Sequence, residues 1–385
     1  MPSPPPHTLI IGAGITGLVL AQALRKHHAA SSPTAPLPFT IYERDPNPTH
    51  RGAGWGLTIH WALPDFEALL PADLVARLPE TFVDTAAVAE GLTGNFLLFD
   101  LQHGSERFRW SKTIASIDTT TPAAVTASFT DGTTATGTHL IGADGSHSRV
   151  RTFLSPSPQN HILPVRLLGT SVPYSSTRCL PIRALDPFFF QATDPATDAF
   201  FWFSFLSVPT DPAEDRECQI LVSWPFRKGF LGREEPVETP AVGERVAWMK
   251  EVTKGWVEPF RGIVADIPGG AEVKSLALED WLPPAEGFDS RDGRVTLIGD
   301  AAHAMTMYRG EAANHGIADV ASLVKELFAE SDADPPSPID RYAAEMIPRA
   351  RVAVLNSRRA CLDAHDHEKI CETSPLVARR VVVLE

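Results

Sequence analysis

A chain of 385 residues with 43% hydrophobic and 21% charged residues has ample material for a large core and is expected to fold as one large or two intertwined domains. Its net charge of −13 offers nothing to nucleic acid or to an anionic membrane surface, and no apolar run reaches the length of a membrane span. Four cysteines are too few for a disulfide framework, and MPSPPPHT carries no secretory pattern, so a reducing, cytoplasmic setting is the expectation.

In chain order, the apolar run Leu9–Ile11 leads into Gly12, Gly14 and Gly17 in Gly-x-Gly-x-x-Gly spacing and then into the helical pattern Ile15, Leu18, Val19, Ala23, Leu24. Strand, tight turn and helix are the context in which this spacing cradles a diphosphate. Gly12 makes the turn, Gly14 lets backbone approach the phosphates, and Gly17 lets helix and strand pack closely. The free N–H groups and dipole of the helix N-terminus then favour the negative charge. The alternative is a glycine-rich turn that merely packs. A second strand, Phe39–Tyr42, follows a Pro/Ser/Ala-rich connector and ends in Glu43, placed to accept hydrogen bonds from ribose hydroxyls.

Beyond Glu43–Arg44 comes the glycine-rich loop Arg51–Leu57, then a helical segment around Trp61–Leu70. Asn95–Asp100, Arg107–Trp110, Val125–Phe129 and Thr138–Ile141 read as strands, the last running into GADGSHSRVR. From Leu167 to Trp281 the chain is β-rich and aromatic, with strands at Phe188–Gln191, Phe200–Val208 and Gln219–Trp224. The strand Val295–Ile298 ends in Gly299-Asp300, where a carboxylate is a fixed acceptor for alcohol donors or an N-cap for the next residues. Helical patterning returns at Gly310–Ala329 and Ile339–Ala364, separated by the Pro-rich Asp332–Pro338. Near the end, Cys361, His365, His367 and Cys371 suggest a metal site. On a helix, however, they divide between two faces and cannot converge on one ion, so no metal and a solvated helix face are expected.

Three separated motifs, Gly12-x-Gly14-x-x-Gly17, Asp144-Gly145 within GADGSHSRVR and Gly299-Asp300 within LIGDAAHAM, together resemble the FAD-dependent aromatic hydroxylases of the para-hydroxybenzoate hydroxylase type, including salicylate-hydroxylase-like enzymes. The resemblance runs from Leu9 to about Leu362. It implies an α/β architecture: a Rossmann-like FAD-binding domain (1–72, 108–165, 285–331) interleaved with a β-sheet-rich substrate domain (73–107, 166–284), followed by a C-terminal helical segment (332–385). It assigns Asp300 to a ribityl hydroxyl of FAD. It assigns Gly310 to Asn314, with the backbone of Ala313, to a helix N-terminus at the flavin pyrimidine edge. Asp144 would contact both FAD and a transient nicotinamide coenzyme, with Arg149 just beyond, while Arg44, Arg51 and Gly54 would lie in the loop near the cofactor.

The implied activity is monooxygenation. NADPH or NADH reduces FAD, O2 adds to form a flavin hydroperoxide, and one oxygen atom passes to a small aromatic or polycyclic, secondary-metabolite-like substrate. No second glycine fingerprint occurs, in keeping with a coenzyme that binds only transiently. Gln191, Phe203 and Trp224 are candidates for lining the substrate pocket, with the hydrophobic core as their alternative. Two departures from the family stand out. Thr306 and Met307 replace prolines beside the flavin, and RFRW runs straight into SKTIASI where an arginine-bearing helix belongs. A flavin dehydrogenase or oxidase on the same scaffold, or a catalytically inert flavin-binding relic, are the alternatives.

Overall fold

The computed structural model describes residues 6–31, 37–48, 50, 56–90, 96–97, 108–156, 159–329 and 336–378. Arg51 and Gly54 lie outside the described residues, as do Arg107 and most of Asn95–Asp100.

Short apolar runs become strands buried on both faces. Thr8–Ile11, Phe39–Tyr42 and Val295–Leu297 are buried at every position. With His139–Gly142 and Phe108–Arg109 they form a five-stranded parallel sheet, in the order Val295–Leu297, His139–Gly142, Thr8–Ile11, Phe39–Tyr42, Phe108–Arg109. Continuous apolar character is what a parallel sheet covered on both faces requires. The helices Ile15–Ser31 and Ala312–Leu327 and a three-stranded meander, Ile114–Asp118, Val125–Phe129 and Thr134–Gly137, pack into its core. From the meander, Phe129 stacks on Tyr42 with ring centroids 4.7 Å apart.

The second sheet is antiparallel, in the order Phe189–Thr193, Phe200–Ser207, Arg216–Pro225, Val165–Tyr174, Val273–Leu276. Its strands are apolar on both faces for a reason that differs from face to face. Phe201, Phe203, Phe205, Ile220, Val222 and Trp224 point into a core shared with the helices Ser176–Arg183, Arg245–Val252 and Phe260–Ala265. Phe200, Leu221, Leu167 and Val165 point the other way, onto Tyr308 and the C-terminal helix.

That last helix, Pro338–Ala364, starts with a capping box in which Ser337 and Asp340 satisfy each other's backbone N–H groups, and Pro338 occupies its first turn. Its buried side chains recur at helical spacing from Ile339 and Tyr342 through Met346, Ala350, Ala353 and Ser357 to Cys361 and Ala364. The expectation of a solvated face at Cys361 and His365 is therefore overturned. Both are buried, because this stretch covers the substrate-side sheet, whereas His367 and Cys371 are exposed.

Candidate cofactor-binding site

The three glycines of the first turn are not equivalent. At Gly12, φ is +109° and an added Cβ would lie 2.3 Å from the Ala143 carbonyl oxygen. At Gly17 an added Cβ would lie 2.2 Å from the Gly12 oxygen. Packing therefore accounts for both. At Gly14 a Cβ would meet no described atom within 4 Å, so packing does not explain its bareness. The space beside it belongs to a cavity of about 360 Å³ lined by Gly12, Gly14, Glu43, Arg44, Lys112, Asp144 and Arg149, among others. The Glu43 carboxylate is fixed at the mouth of the turn, accepting from the Ala13 N–H at 2.7 Å and the Asp45 N–H at 2.9 Å.

Lys112 was not foreseen. Only Trp110–Thr113 separates the strand Phe108–Arg109 from Ile114–Asp118, with no helix between them, and this short link brings Lys112 into the cavity wall. Its Nζ is held by Asp131 at 2.5 Å and Thr133 at 2.8 Å. Arg149 donates to the Ile114 carbonyl at 3.0 Å and so ties the link to the far wall.

Ser148 caps the helix Arg149–Leu154, and Asp144 braces that cap, accepting from Ser148 Oγ at 2.5 Å and from the N–H groups of Arg149 at 2.8 Å and Val150 at 3.4 Å. Burial pushes its pKa up, and those donors oppose the rise. Arg151, two residues past the arginine singled out in the sequence, is the buried one. It donates to the carbonyls of Asp300 and Ala301 at 3.3 Å each, to the Ser146 carbonyl and to Asn160 Oδ1 at 2.7 Å, and its guanidinium lies 4.8 Å from the Trp281 ring centre. It joins the Asp144 turn to the Asp300 turn. The available signal was the helical period, which puts Arg151 on the same inward face as Leu154.

Gly299 adopts φ 59° and ψ −143°, and an added Cβ on it would lie 2.6 Å from Thr16 Oγ1, as would one on Gly316. These close approaches seat the Asp300 turn against the first helix, two residues past Gly14. Asp300 opens the helix Asp300–His303 but does not cap it; the capping position is Gly299. Among the described residues none donates a hydrogen bond to its carboxylate. Its side chain is exposed and lies outside the lining of the Gly14–Glu43 cavity. Enclosure by protein raises its pKa, the nearby His303 and Arg151 charges pull it down, and Asp319 pushes it further up.

The Asn314 side chain is engaged by a neighbouring segment of the chain. Its Oδ1 accepts from the His60 N–H at 2.9 Å and its Nδ2 donates to the Thr58 carbonyl at 2.8 Å, so the side chain clamps the 57–62 segment to the helix Ala312–Leu327. Gly310, at φ +63°, and the half-buried Ala313 mark the turn into that helix. Gln191 lies on the Tyr308 side of the second sheet, opposite Trp202, and donates to the Leu376 carbonyl at 3.4 Å. Phe203 and Trp224 do not share that side. Phe203 stacks on Phe190 at 5.2 Å, and Trp224 meets Trp248 edge-on at 5.6 Å while donating to the Val237 carbonyl at 3.1 Å. Their alternative, the core, is where the structure puts them, because neighbours along a strand alternate faces. Among the described residues no group of His, Cys, Asp and Glu could hold a metal ion.

The profile of the FAD binding domain family matches residues 288–357. The chain is 49% identical over 424 aligned positions to an Arthroderma benhamiae protein named "Probable FAD-dependent monooxygenase", covering 98% of this chain and 96% of that protein. It belongs to the FAD-dependent monooxygenases. A second relative, FAD-dependent monooxygenase tazP of Aspergillus terreus, is 36% identical, covering 83% of this chain and 88% of its own length. Among solved structures, Klebsiella pneumoniae HpxO complexed with FAD and uric acid superposes with a TM-score of 0.70 at 19% identity, covering 93% of this chain and 89% of HpxO. The 2,6-dihydroxypyridine-3-hydroxylase of Arthrobacter nicotinovorans gives 0.69 at 16% identity, covering 99% and 100%. These two share its fold.

The aligned span with the Arthroderma protein exceeds the 385 residues of this monooxygenase, so that relative carries internal residues without a counterpart here. Thr306 stands where the family resemblance leads to the expectation of a proline. Thr306 holds φ at −70°, close to the value a proline ring would impose, and its hydroxyl bonds to the Ser357 carbonyl at 2.8 Å.

Proposed function

We propose that this FAD-dependent monooxygenase uses NAD(P)H and O2 to hydroxylate or epoxidise a small aromatic or polycyclic molecule of the secondary-metabolite kind. The observation that carries the reading is a bare Gly14 facing open space beside a fixed Glu43, with a carboxylate at Asp300, without a donor among the described residues, next to Gly299, which abuts Thr16 of the first helix. A ligand in which a diphosphate joins a ribose to a hydroxylated chain matches Gly14, Glu43 and Asp300 respectively.

In this reading Gly14 and the N-terminus of the first helix receive the diphosphate, Glu43 accepts from the ribose hydroxyls, and Asp300 accepts from a ribityl hydroxyl. Charge-assisted acceptance of this kind is stronger than a neutral hydrogen bond and fixes direction. Asp144 and Arg149 form the wall at which the nicotinamide coenzyme docks transiently. The N-terminus of Ala312–Leu327, presenting the backbone at Ala313, stabilises negative charge on the ring system. Bound FAD would supply the redox chemistry, by which NAD(P)H and O2 would yield one oxygen atom for the substrate and the other as water. Substrate lies on the Tyr308 side of the second sheet, where Gln191 and Trp202 are found and from which Phe203 and Trp224 are absent.

The test is NADPH and NADH oxidation by the FAD-loaded protein against phenols, polyketides and indoles, with ¹⁸O₂ labelling of the product. Substrate-stimulated oxidation with one labelled oxygen in the product supports the proposal. Reduction of the flavin by substrate alone without oxygen identifies a dehydrogenase or oxidase instead.

A further inference from the structure

Behind the Gly299–Asp300 turn lies a buried polar cluster to which none of the roles above is assigned. Asp319, on the helix Ala312–Leu327, is 0% exposed and engages both carboxylate oxygens. Oδ2 accepts from the Gly299 N–H at 2.7 Å and from His303 Nε2 at 2.6 Å, and Oδ1 accepts from Arg349 Nη2 at 2.9 Å. Arg349 comes from the C-terminal helix and is itself held by Glu345 at 2.7 Å. Burial alone would raise the Asp319 pKa, but His303, Arg349 and the Gly299 N–H outweigh it and hold the group down at about 2.

The geometry matters because of what it grips. Gly299 precedes, and His303 ends, the four-residue helix that begins with Asp300. Asp300 has no donor of its own among the described residues, so only the backbone sets the direction of its carboxylate. The Gly299 torsions lie in a region that side-chain-bearing residues avoid, and a glycine there has other conformations to visit. A buried, charged acceptor bound to both ends of the turn removes that freedom.

We propose that Asp319 is a positioning residue for Asp300: by holding the Gly299 amide and the His303 ring it aims the Asp300 carboxylate at the ribityl hydroxyl of FAD, a role that rests on Asp300 being the ribityl acceptor. ADP, which lacks the ribityl chain, needs only the Gly14–Glu43 cavity and serves as the internal control.

The experiment titrates the full chain, freed of flavin, with FAD by fluorescence quenching and with ADP by calorimetry. It compares the wild type with Asp300→Asn, Asp319→Asn and the double variant. Each single variant is expected to weaken FAD about tenfold or more, as loss of a charged hydrogen bond does, with ADP unchanged. The double variant is expected to bind FAD no more weakly than Asp300→Asn, because both changes remove one interaction. If Asp319→Asn does not fold, His303→Phe keeps a ring without its donor and carries the same expectation. Wild-type FAD affinity in Asp319→Asn beside a weakened Asp300→Asn overturns the proposal, as does equal weakening of ADP or an additive double variant. Unchanged FAD affinity in Asp300→Asn removes the ribityl assignment itself, and the positioning role with it.

Discussion

Replacing single glycines in the first turn separates a packing role from a ligand role. In Gly14→Ala the new methyl enters open space, since no described atom lies within 4 Å of it. The unliganded protein then loses only the small preference of glycine over alanine at a helix N-terminus, offset by a stiffer unfolded chain, for a net change within about 1 kcal/mol. The methyl points into the cavity where the diphosphate is proposed to lie, and it holds backbone N–H groups away from phosphate. Losing one or two such charged hydrogen bonds, at about 1.5–3 kcal/mol each, weakens FAD by roughly 10-fold to 20,000-fold. Gly17→Ala does the opposite. Its methyl would sit 2.2 Å from the Gly12 oxygen, a collision with backbone that cannot be relieved by a rotamer change, and overpacking of this kind costs about 1–3 kcal/mol of stability or more. Thermal melts of flavin-free protein and FAD titrations by fluorescence measure the two effects side by side. A Gly14→Ala protein that binds FAD like the wild type, or one that melts lower than Gly17→Ala, refutes the reasoning.

Other consequences follow from the same contacts. Arg151→Met strands the carbonyls of Asp300 and Ala301, while Ser146 keeps the Asn160 amide as donor, and is expected to destabilise the protein by about 2–5 kcal/mol in urea denaturation; a change below 1 kcal/mol would show that the bridge between the two turns carries little. Asp300→Asn is expected to raise the melting temperature of the flavin-free protein at pH 7. Its folded pKa lies above the unfolded value of 3.8, so the charged form disfavours folding, and stability falls as pH rises through that window. A lower melting temperature contradicts this. His315 and His365 are kept neutral by burial, with folded pKa values lowered to about 3 and about 4. Only the unfolded chain takes up these protons between those values and 6.5, so stability is retained above 6.5 and drains away as pH falls, by about 1.4 kcal/mol per pH unit for each histidine. His365→Phe is expected to flatten the stability profile between pH 4.5 and 6 by that slope, and an unaltered slope would show that His365 is protonated in the folded state.

Much of the cofactor half was legible in the sequence because its logic is local. An apolar run, a glycine spacing and a terminal carboxylate lie within a few residues of one another at Leu9–Gly17, at Phe39–Glu43 and at Val295–Asp300. Contacts between distant segments carried no such mark. Lys112 reaches the cavity only because the link after Phe108–Arg109 is short, Arg151 is distinguished from Arg149 only by which helix face is covered, and Asp319 acts on Gly299 across a helix–strand interface. The aromatic strands misled for another reason. Both sheet faces are apolar, so composition could not say that Phe203 and Trp224 face the helices while Phe200 and Trp202 face Tyr308. At Cys361 and His365 the division of helix faces was readable, but the sheet lying against one of them was not.

The central claim is that one groove, running from Gly14 and Glu43 to Asp300, holds a single FAD. A crystal structure of the FAD complex tests it most directly: the account predicts diphosphate at Gly14, the adenosine ribose at Glu43 and a ribityl hydroxyl on the Asp300 carboxylate. Electron density for FAD elsewhere on the chain, or with its ribityl chain turned away from Asp300, would contradict it.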